Sequence, residues 1–164
     1  WGRSTEVEQI VVLEAVHGDQ IDAAVGNFWE LATSRRQLSF EDRGRRRTES
    51  VHVAGYAGHN RLMDGLRLPA PPTFEAEAAR AGAIPSFVLA CYSDKYFTSS
   101  LQRAGSTLLV TTRALMAPEG YLIHAIALGL GQNLSVQELR SKTVQSYARW
   151  QRISEREARR TFTP

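Results

Sequence analysis

Two short apolar runs constrain the fold of this 164-residue chain more than any other feature. One is VHVAGYAGHN at residues 51–60, the other PSFVLACYS at residues 85–93. Each is rich in apolar residues and bounded by polar or turn residues, the pattern of a strand buried in a parallel sheet. The first ends in His59. The second ends in Cys91, the one cysteine of the chain, 32 residues later. That interval is long enough for a right-handed crossover between parallel neighbours. A histidine and a cysteine leaving adjacent strands at one edge can meet, as a thiol nucleophile and its base must.

The remaining chain continues the alternation. Residues 10–16 (IVVLEAV) are β-branched and predict a strand. His17-Gly18-Asp19 then forms a turn in which Asp19 can cap the next helix. Ile21, Ala24, Val25, Phe28, Trp29 and Ala32 recur at helical spacing and predict an amphipathic helix over 20–36. Residues 38–50 mix Arg43, Arg45, Arg46 and Arg47 with Glu41, Asp42 and Glu49, the composition of a solvated loop. A strand over 51–57 leads through RLMDG to LPAPP at 68–72, an extended path stiffened by proline. A short helix at 74–81, a strand at 87–90, a short helix at 96–104 and a third strand at 107–112 follow. An apolar helix is predicted over 118–130. Ser135 with Glu138 and Ser154 with Glu157 have capping-box spacing and open a helix toward residue 153 and a last basic turn. The sum is one α/β domain over residues 1–164, a parallel sheet with helices on its faces, and a helical segment at 135–164.

Composition bounds the chemistry. With 43% hydrophobic and 23% charged residues the chain can bury a core. Twenty basic against seventeen acidic residues leave a charge of +3, too balanced to imply a nucleic-acid partner. No apolar run approaches the roughly 18 residues of a membrane span, and the start does not read as a secretory signal. A single cysteine excludes an internal disulfide or a multi-thiolate metal site within one chain. It fits a reducing compartment, and a cytoplasmic location is expected. The histidines and acids show no metal-ligand spacing, and no phosphate loop or dinucleotide fingerprint is present. No cofactor is expected.

Ligands of open parallel sheets gather outside the carboxyl ends of the strands. Those exits carry His17-Gly18-Asp19, Gly58-His59-Asn60, Cys91-Tyr92-Ser93 and Thr111-Thr112-Arg113. A lone cysteine at a strand end is commonly an inert thiol, and a lone loop histidine commonly caps a turn. The polar Tyr-Ser-Asp-Lys after Cys91, the matching position of His59 and the adjacent Gly58 favour chemistry. A nearby imidazole or helix N-terminus favours the reactive thiolate. His52, between Val51 and Val53, reads as a structural strand histidine, and His124 as a satisfied core histidine. Asp19, Asp64, Asp94 and Glu119 stay open between binding a basic group, orienting His59 and capping helices. Arg61 and Arg113 are the candidates for selecting an acidic group.

On these residues the chain resembles the caspase-like cysteine peptidases, the group of caspases, legumains, separases, gingipains and clostripain. VHVAGYAGH and FVLAC match that group in order, character and approximate spacing. More closely, GHNRLMDG, LACYSDKYF and TTRALMAPEGY resemble uncharacterised bacterial proteins with GH-x-GLMD, LAC-x-S and TTxLMAPE motifs. The wider resemblance covers roughly residues 10–130. It implies a three-layer α/β/α sandwich with a mostly parallel central sheet. It also implies Cys91 as nucleophile, His59 as general acid/base, and backbone amides near Gly58 and Cys91 as oxyanion donors. Asn60, Asp19, Asp64, Ser93, Arg113 and Glu119 are the further candidates for contacting substrate. The implied reaction is hydrolysis of a peptide or protein substrate through an acyl-enzyme. No nucleic-acid or membrane partner is implied, and a homodimer is one expected assembly. Two departures stand out. The group has glycine directly after the histidine, where this chain has Asn60. It also has a further strand and helix before the histidine strand, so an N-terminal strand is expected to be missing from this chain. The alternatives are an inactive recognition or assembly domain of the same fold and a cysteine-dependent amidase or acyl transferase.

Overall fold

A computed structural model describes residues 8–34, 36–68 and 82–163. The 3-10 turn Gly18–Gln20 enters α1 (Ile21–Thr33), whose buried face is Val25, Phe28, Trp29, Ala32 and Thr33. A hairpin follows, β1 (Gln37–Asp42) and β2 (Arg45–Ser50). Then come β3 (Ala54–Ala57), β4 (Ser86–Leu89), α2 (Ser93–Arg103), β5 (Leu108–Val110), α3 (Gly120–Gly131), α4 (Val136–Gln151) and α5 (Glu155–Ala158). The chain is thus mixed α/β, with a small parallel sheet in the order β3-β4-β5.

Strand alternation divides the core between the two faces of that sheet. Ala54, Tyr56 and Val88 join Phe28 and Trp29 of α1 and Phe97 and Leu101 of α2. Leu89, Leu109 and Val110 join Leu122 and Ile126 of α3 and Leu139, Val144 and Tyr147 of α4. The first cluster is centred on the rings of Phe28, Tyr56 and Phe97, with centroids 5.9 to 6.3 Å apart. Both predicted capping boxes are formed, Ser135 with Glu138 opening α4 and Ser154 with Glu157 opening α5. The outer edge of β5 is closed. Arg140 donates to the carbonyls of Leu109 (2.8 Å) and Leu108 (3.2 Å), and Phe162 bridges to Thr112. Sheet edges left open invite foreign strands, and a guanidinium on the free carbonyls prevents it.

Two expectations are corrected. Residues 10–16 form no strand: they run exposed, with Gln9 donating to the Ala127 carbonyl (2.8 Å) and Glu8 paired to Arg47 (3.1 Å). β-branched residues suit a strand only where a partner strand completes the ladder, and none adjoins this segment among the described residues. Residues 38–50 are the hairpin rather than a loop. Arg43 (φ 49°) and Gly44 (φ 75°) both take positive φ, as a two-residue turn between right-twisted strands requires. Opposite charges face each other across it, Glu41 with Arg46 and Asp42 with Arg45, which the one-dimensional charge pattern disguised. The helix expected at 74–81 lies outside the described residues. His52 lies ahead of β3 and His124 is on the outer side of α3; both are exposed, which corrects their reading as strand and core histidines. Among the described residues no helix is long and apolar enough to cross a membrane.

Candidate functional site

The parallel register of β3 and β4 ends on Ala57 opposite Leu89. His59 and Cys91 each lie two residues beyond that last pair, so the ladder delivers both to one edge at one level. The final ladder bond is donated by the Gly58 amide to the Leu89 carbonyl (3.1 Å). Gly58 is therefore not an available oxyanion donor, which corrects the expectation for it. Its lack of a side chain has another cause. A Cβ there would lie 2.9 Å from the Tyr56 hydroxyl, which needs that space to reach the His59 carbonyl (2.7 Å). Burial pushes the Tyr56 hydroxyl up to about 12, so it donates as a neutral phenol across the working pH range.

Asn60 joins the two loops. Its side chain is fully buried. Its Nδ2 donates to the Cys91 carbonyl (2.6 Å) while its Oδ1 accepts from the Leu62 amide (3.1 Å). The side chain thus points away from the edge and into the fold, and the residue's own amide donates to no group among the described residues. The Cys91 amide likewise donates to no group among the described residues. Of these two residues only Cys91 has exposed surface, Asn60 being 0% exposed as a whole, so the Cys91 amide rather than that of Gly58 or Asn60 is the candidate oxyanion donor.

His59 is half-exposed, and its Nε2 bonds Asp64 Oδ2 at 2.7 Å. Arg61 donates to the same Asp64 oxygen (2.9 Å) and to Asp22 on α1 (2.6 Å). The hydrogen bonds from His59 and then Arg61 hold the Asp64 carboxyl below the usual aspartate range, and Arg61 does the same for Asp22. Arg61 is itself pushed upward by the two carboxylates. A carboxylate on Nε2 favours the proton there, which leaves the Nδ1 lone pair of a neutral ring for a substrate or thiol proton.

The Cys91 thiol meets the loop between β5 and α3. Its sulfur donates to the Met116 carbonyl (3.6 Å) and accepts from the Met116 amide (3.5 Å). It makes no hydrogen bond to the His59 ring. Behind it Tyr92 adopts a left-handed backbone (φ 51°) as the residue preceding α2, a conformation that costs free energy in a non-glycine residue. Two buried hydroxyls hold that turn. Ser93 Oγ donates to the Val88 carbonyl (2.8 Å) and accepts from the Thr112 amide (2.9 Å), while Thr112 Oγ1 donates to the Ala90 carbonyl.

No family model, curated protein or solved structure matches this chain. The site therefore stands on its own geometry.

Of the sequence-predicted residues, the fold brings together His59, Asn60, Asp64 and Cys91. The others fall elsewhere or act differently. Asp19 follows no strand, caps no helix, and pairs with His17 on the exposed N-terminal turn (3.0 Å). Ser93 is fully buried and serves the backbone of the turn, so it is not placed to touch substrate. Arg113 is exposed, its amide donating to the Thr161 carbonyl (2.8 Å). Glu119 precedes α3 and accepts from Gln151 (3.0 Å). Asp22, Tyr56 and Met116 were not singled out beforehand, and Thr112 was placed only as part of a strand exit. Only the Arg61–Asp64 spacing hinted at the ion network. No group of three or more His, Cys, Asp or Glu able to hold a metal occurs among the described residues. Two surface clefts, one along Gln132 and Lys142 and one between Glu8–Val12 and the hairpin, include neither His59 nor Cys91.

If His59 serves as a catalytic base, Asp64→Asn is expected to lower kcat by about 10- to 100-fold with little change in KM, because the imidazole loses its orienting charge but stays in place. Loss of a general base outright costs about 10²- to 10⁴-fold. The folded-state value of Asp64 is depressed, so its contribution to stability is present above the unfolded aspartate value. It is lost as pH falls through the lowered one. Acid unfolding of the Asp64→Asn protein, followed by circular dichroism, should therefore show a weaker dependence on pH below about 4.

Proposed function

We propose that this chain is a caspase-like cysteine peptidase domain, in which the described sheet and helices form the core of a three-layer α/β/α sandwich. One observation carries the reading. Neighbouring parallel strands present His59 and Cys91 at the same level of one edge, with a carboxylate already on the far side of the imidazole. A scaffold with no chemistry has no need of that coincidence.

In this mechanism His59 Nδ1 accepts the thiol proton as the Cys91 sulfur attacks the scissile carbonyl carbon. The carbonyl π pair moves to oxygen, where the Cys91 amide is the donor. Collapse breaks the C–N bond, and His59 passes its proton to the departing amine. Water then adds to the thioester with His59 as base, the C–S bond breaks, and the carboxylic product leaves with the thiol restored. The sulfur must exchange its bond to the Met116 carbonyl for one to the imidazole. Catalytic contacts that tighten only with substrate bound are common.

The inactive-scaffold reading draws on that same Met116 contact, since the resting thiol is satisfied without His59. Alkylation separates the two. In the peptidase reading a peptidyl haloketone labels Cys91 at least tenfold faster than it labels the His59→Ala protein. Equal, slow labelling of the two proteins sinks the peptidase reading.

A further inference from the structure

His59 is presented by a turn that doubles back on it. The Arg61 carbonyl accepts from the amides of Asp64 (3.1 Å) and Leu66 (3.1 Å), and Gly65 takes the positive φ of 100° that the reversal requires. Asp64 is thereby returned to the imidazole five residues after it. The turn brings the carboxylate near, but an exposed pair of this kind holds its geometry weakly by itself. The constraint comes from the other side of the loop. Arg61 Nε and Nη2 donate to the two oxygens of Asp22 (2.6 and 3.2 Å). Its Nη1 donates to Asp64 Oδ2 (2.9 Å), the same oxygen that bonds His59 Nε2. A guanidinium gripped by both oxygens of one carboxylate has lost most of its freedom before it meets the second. Asp22 lies in the first turn of α1, where the helix dipole favours a negative charge. That helix is anchored by Phe28 and Trp29 in the cluster that holds Tyr56, and the Tyr56 hydroxyl donates to the His59 carbonyl (2.7 Å). Backbone and ring of His59 are thus both referred to α1, the backbone through Tyr56, the ring through Asp64, Arg61 and Asp22.

We propose that Asp22 is a positioning residue for the site: it holds Arg61, and Arg61 in turn holds the Asp64 carboxylate on His59 Nε2. The catalytic consequence rests on the peptidase reading; the effect on the imidazole does not. Asp22 makes no hydrogen bond to His59 or Cys91, so whatever it does for the ring passes through Arg61 and Asp64. Isolated exposed ion pairs contribute little, whereas a bidentate guanidinium shared by a network of charges is the arrangement in which they count. With Arg61 in place the ring keeps one orientation, and its Nδ1 stays turned toward the same side. Without Asp22 the guanidinium is tethered only by its own side chain and Asp64, and the carboxylate can leave the ring.

The test is a double-mutant cycle. Asp22→Asn removes the charge at a half-exposed position and nearly keeps the shape, so the fold persists. Labelling of Cys91 by a peptidyl haloketone should slow by about three- to tenfold in Asp22→Asn, with kcat falling by the same factor and KM unchanged. Asp22→Glu should recover most of the rate. In an Asp64→Asn background the same Asp22→Asn change should have no further effect, whereas a damaged fold would add its loss to that of Asp64→Asn. NMR relaxation of the His59 ring gives a readout that needs no turnover, and the ring should become more mobile in Asp22→Asn. Unchanged labelling with an unchanged ring, or equal slowing with and without the Asp64 carboxylate, overturns the proposal. The two readings fail separately. A ring loosened in Asp22→Asn, together with labelling indifferent to His59→Ala, removes the peptidase reading alone. Labelling that requires His59 but ignores Asp22 removes only the role of Asp22.

Discussion

Cys91→Ala should abolish turnover of any peptide that the unmodified protein cleaves, lowering kcat by about 10⁴-fold or more. No other thiol exists in the chain to replace it. The fold should barely respond. Cys91 is only partly buried, and its sulfur contacts the Met116 backbone through two long bonds at 3.5 and 3.6 Å. A loss of no more than about 1 kcal/mol is expected, as for most substitutions outside a packed core. Cys91→Ser is the stricter probe. It keeps a donor for the Met116 carbonyl and nearly the same shape, so a structural role would survive it and a nucleophilic role would not. A serine variant that retains more than a tenth of the activity would rule out thiol attack. Paired kcat measurements and thermal melts on the two variants decide the matter.

Asn60→Leu should give the largest combined loss of stability and activity. The side chain is wholly buried and makes one bond from each end of its amide. Leucine leaves the Cys91 carbonyl and the Leu62 amide without partners, at about 1–3 kcal/mol each. Urea unfolding should show a loss of about 2–5 kcal/mol, with the His59 and Cys91 loops no longer tied together. Asn60→Gly distinguishes two roles for the position. Glycine keeps the backbone N–H and removes the clamp. If only the amide matters, activity persists in Asn60→Gly at normal kcat. If the clamp sets the distance between the loops, kcat falls by about tenfold or more even at temperatures where the protein remains folded, since misplacement by about 1 Å can cost 10²-fold. The geometry favours the second outcome, because the bond from Asn60 ends on the carbonyl of Cys91 itself.

The asparagine marks a limit of sequence reading. It stands directly after the histidine, where the caspase-like group has glycine. The structure turns the Asn60 side chain inward onto the Cys91 carbonyl and buries the whole residue, its amide included. A sequence names the side chain but not its direction, and the direction is the whole difference. Gly58 is the converse case. It invited a substrate-binding role, yet its amide closes the ladder and its empty Cβ position admits the Tyr56 hydroxyl.

Patterns of period, capping and spacing are local, and they survived. The run at 51–57, a strand from Ala54 onward, the run at 87–90, the helix beginning near residue 20 and the two capping boxes rest on neighbours within a few residues. The helix expected over 96–104 begins earlier, at Ser93, because Ser93 and Thr112 anchor the turn after Cys91 from a strand 19 residues away. The segment at 10–16 failed for the opposite reason: its strand propensity is real, but a strand exists only where another edge accepts its hydrogen bonds. The amino-acid sequence by itself determined that a histidine and the chain's single thiol end two apolar strands. Only the tertiary structure decided that they end at one level and that Asp64 and Arg61 steady the imidazole. It alone also decided that the thiol rests on Met116, because strand register and side-chain direction are set by partners far away in the chain.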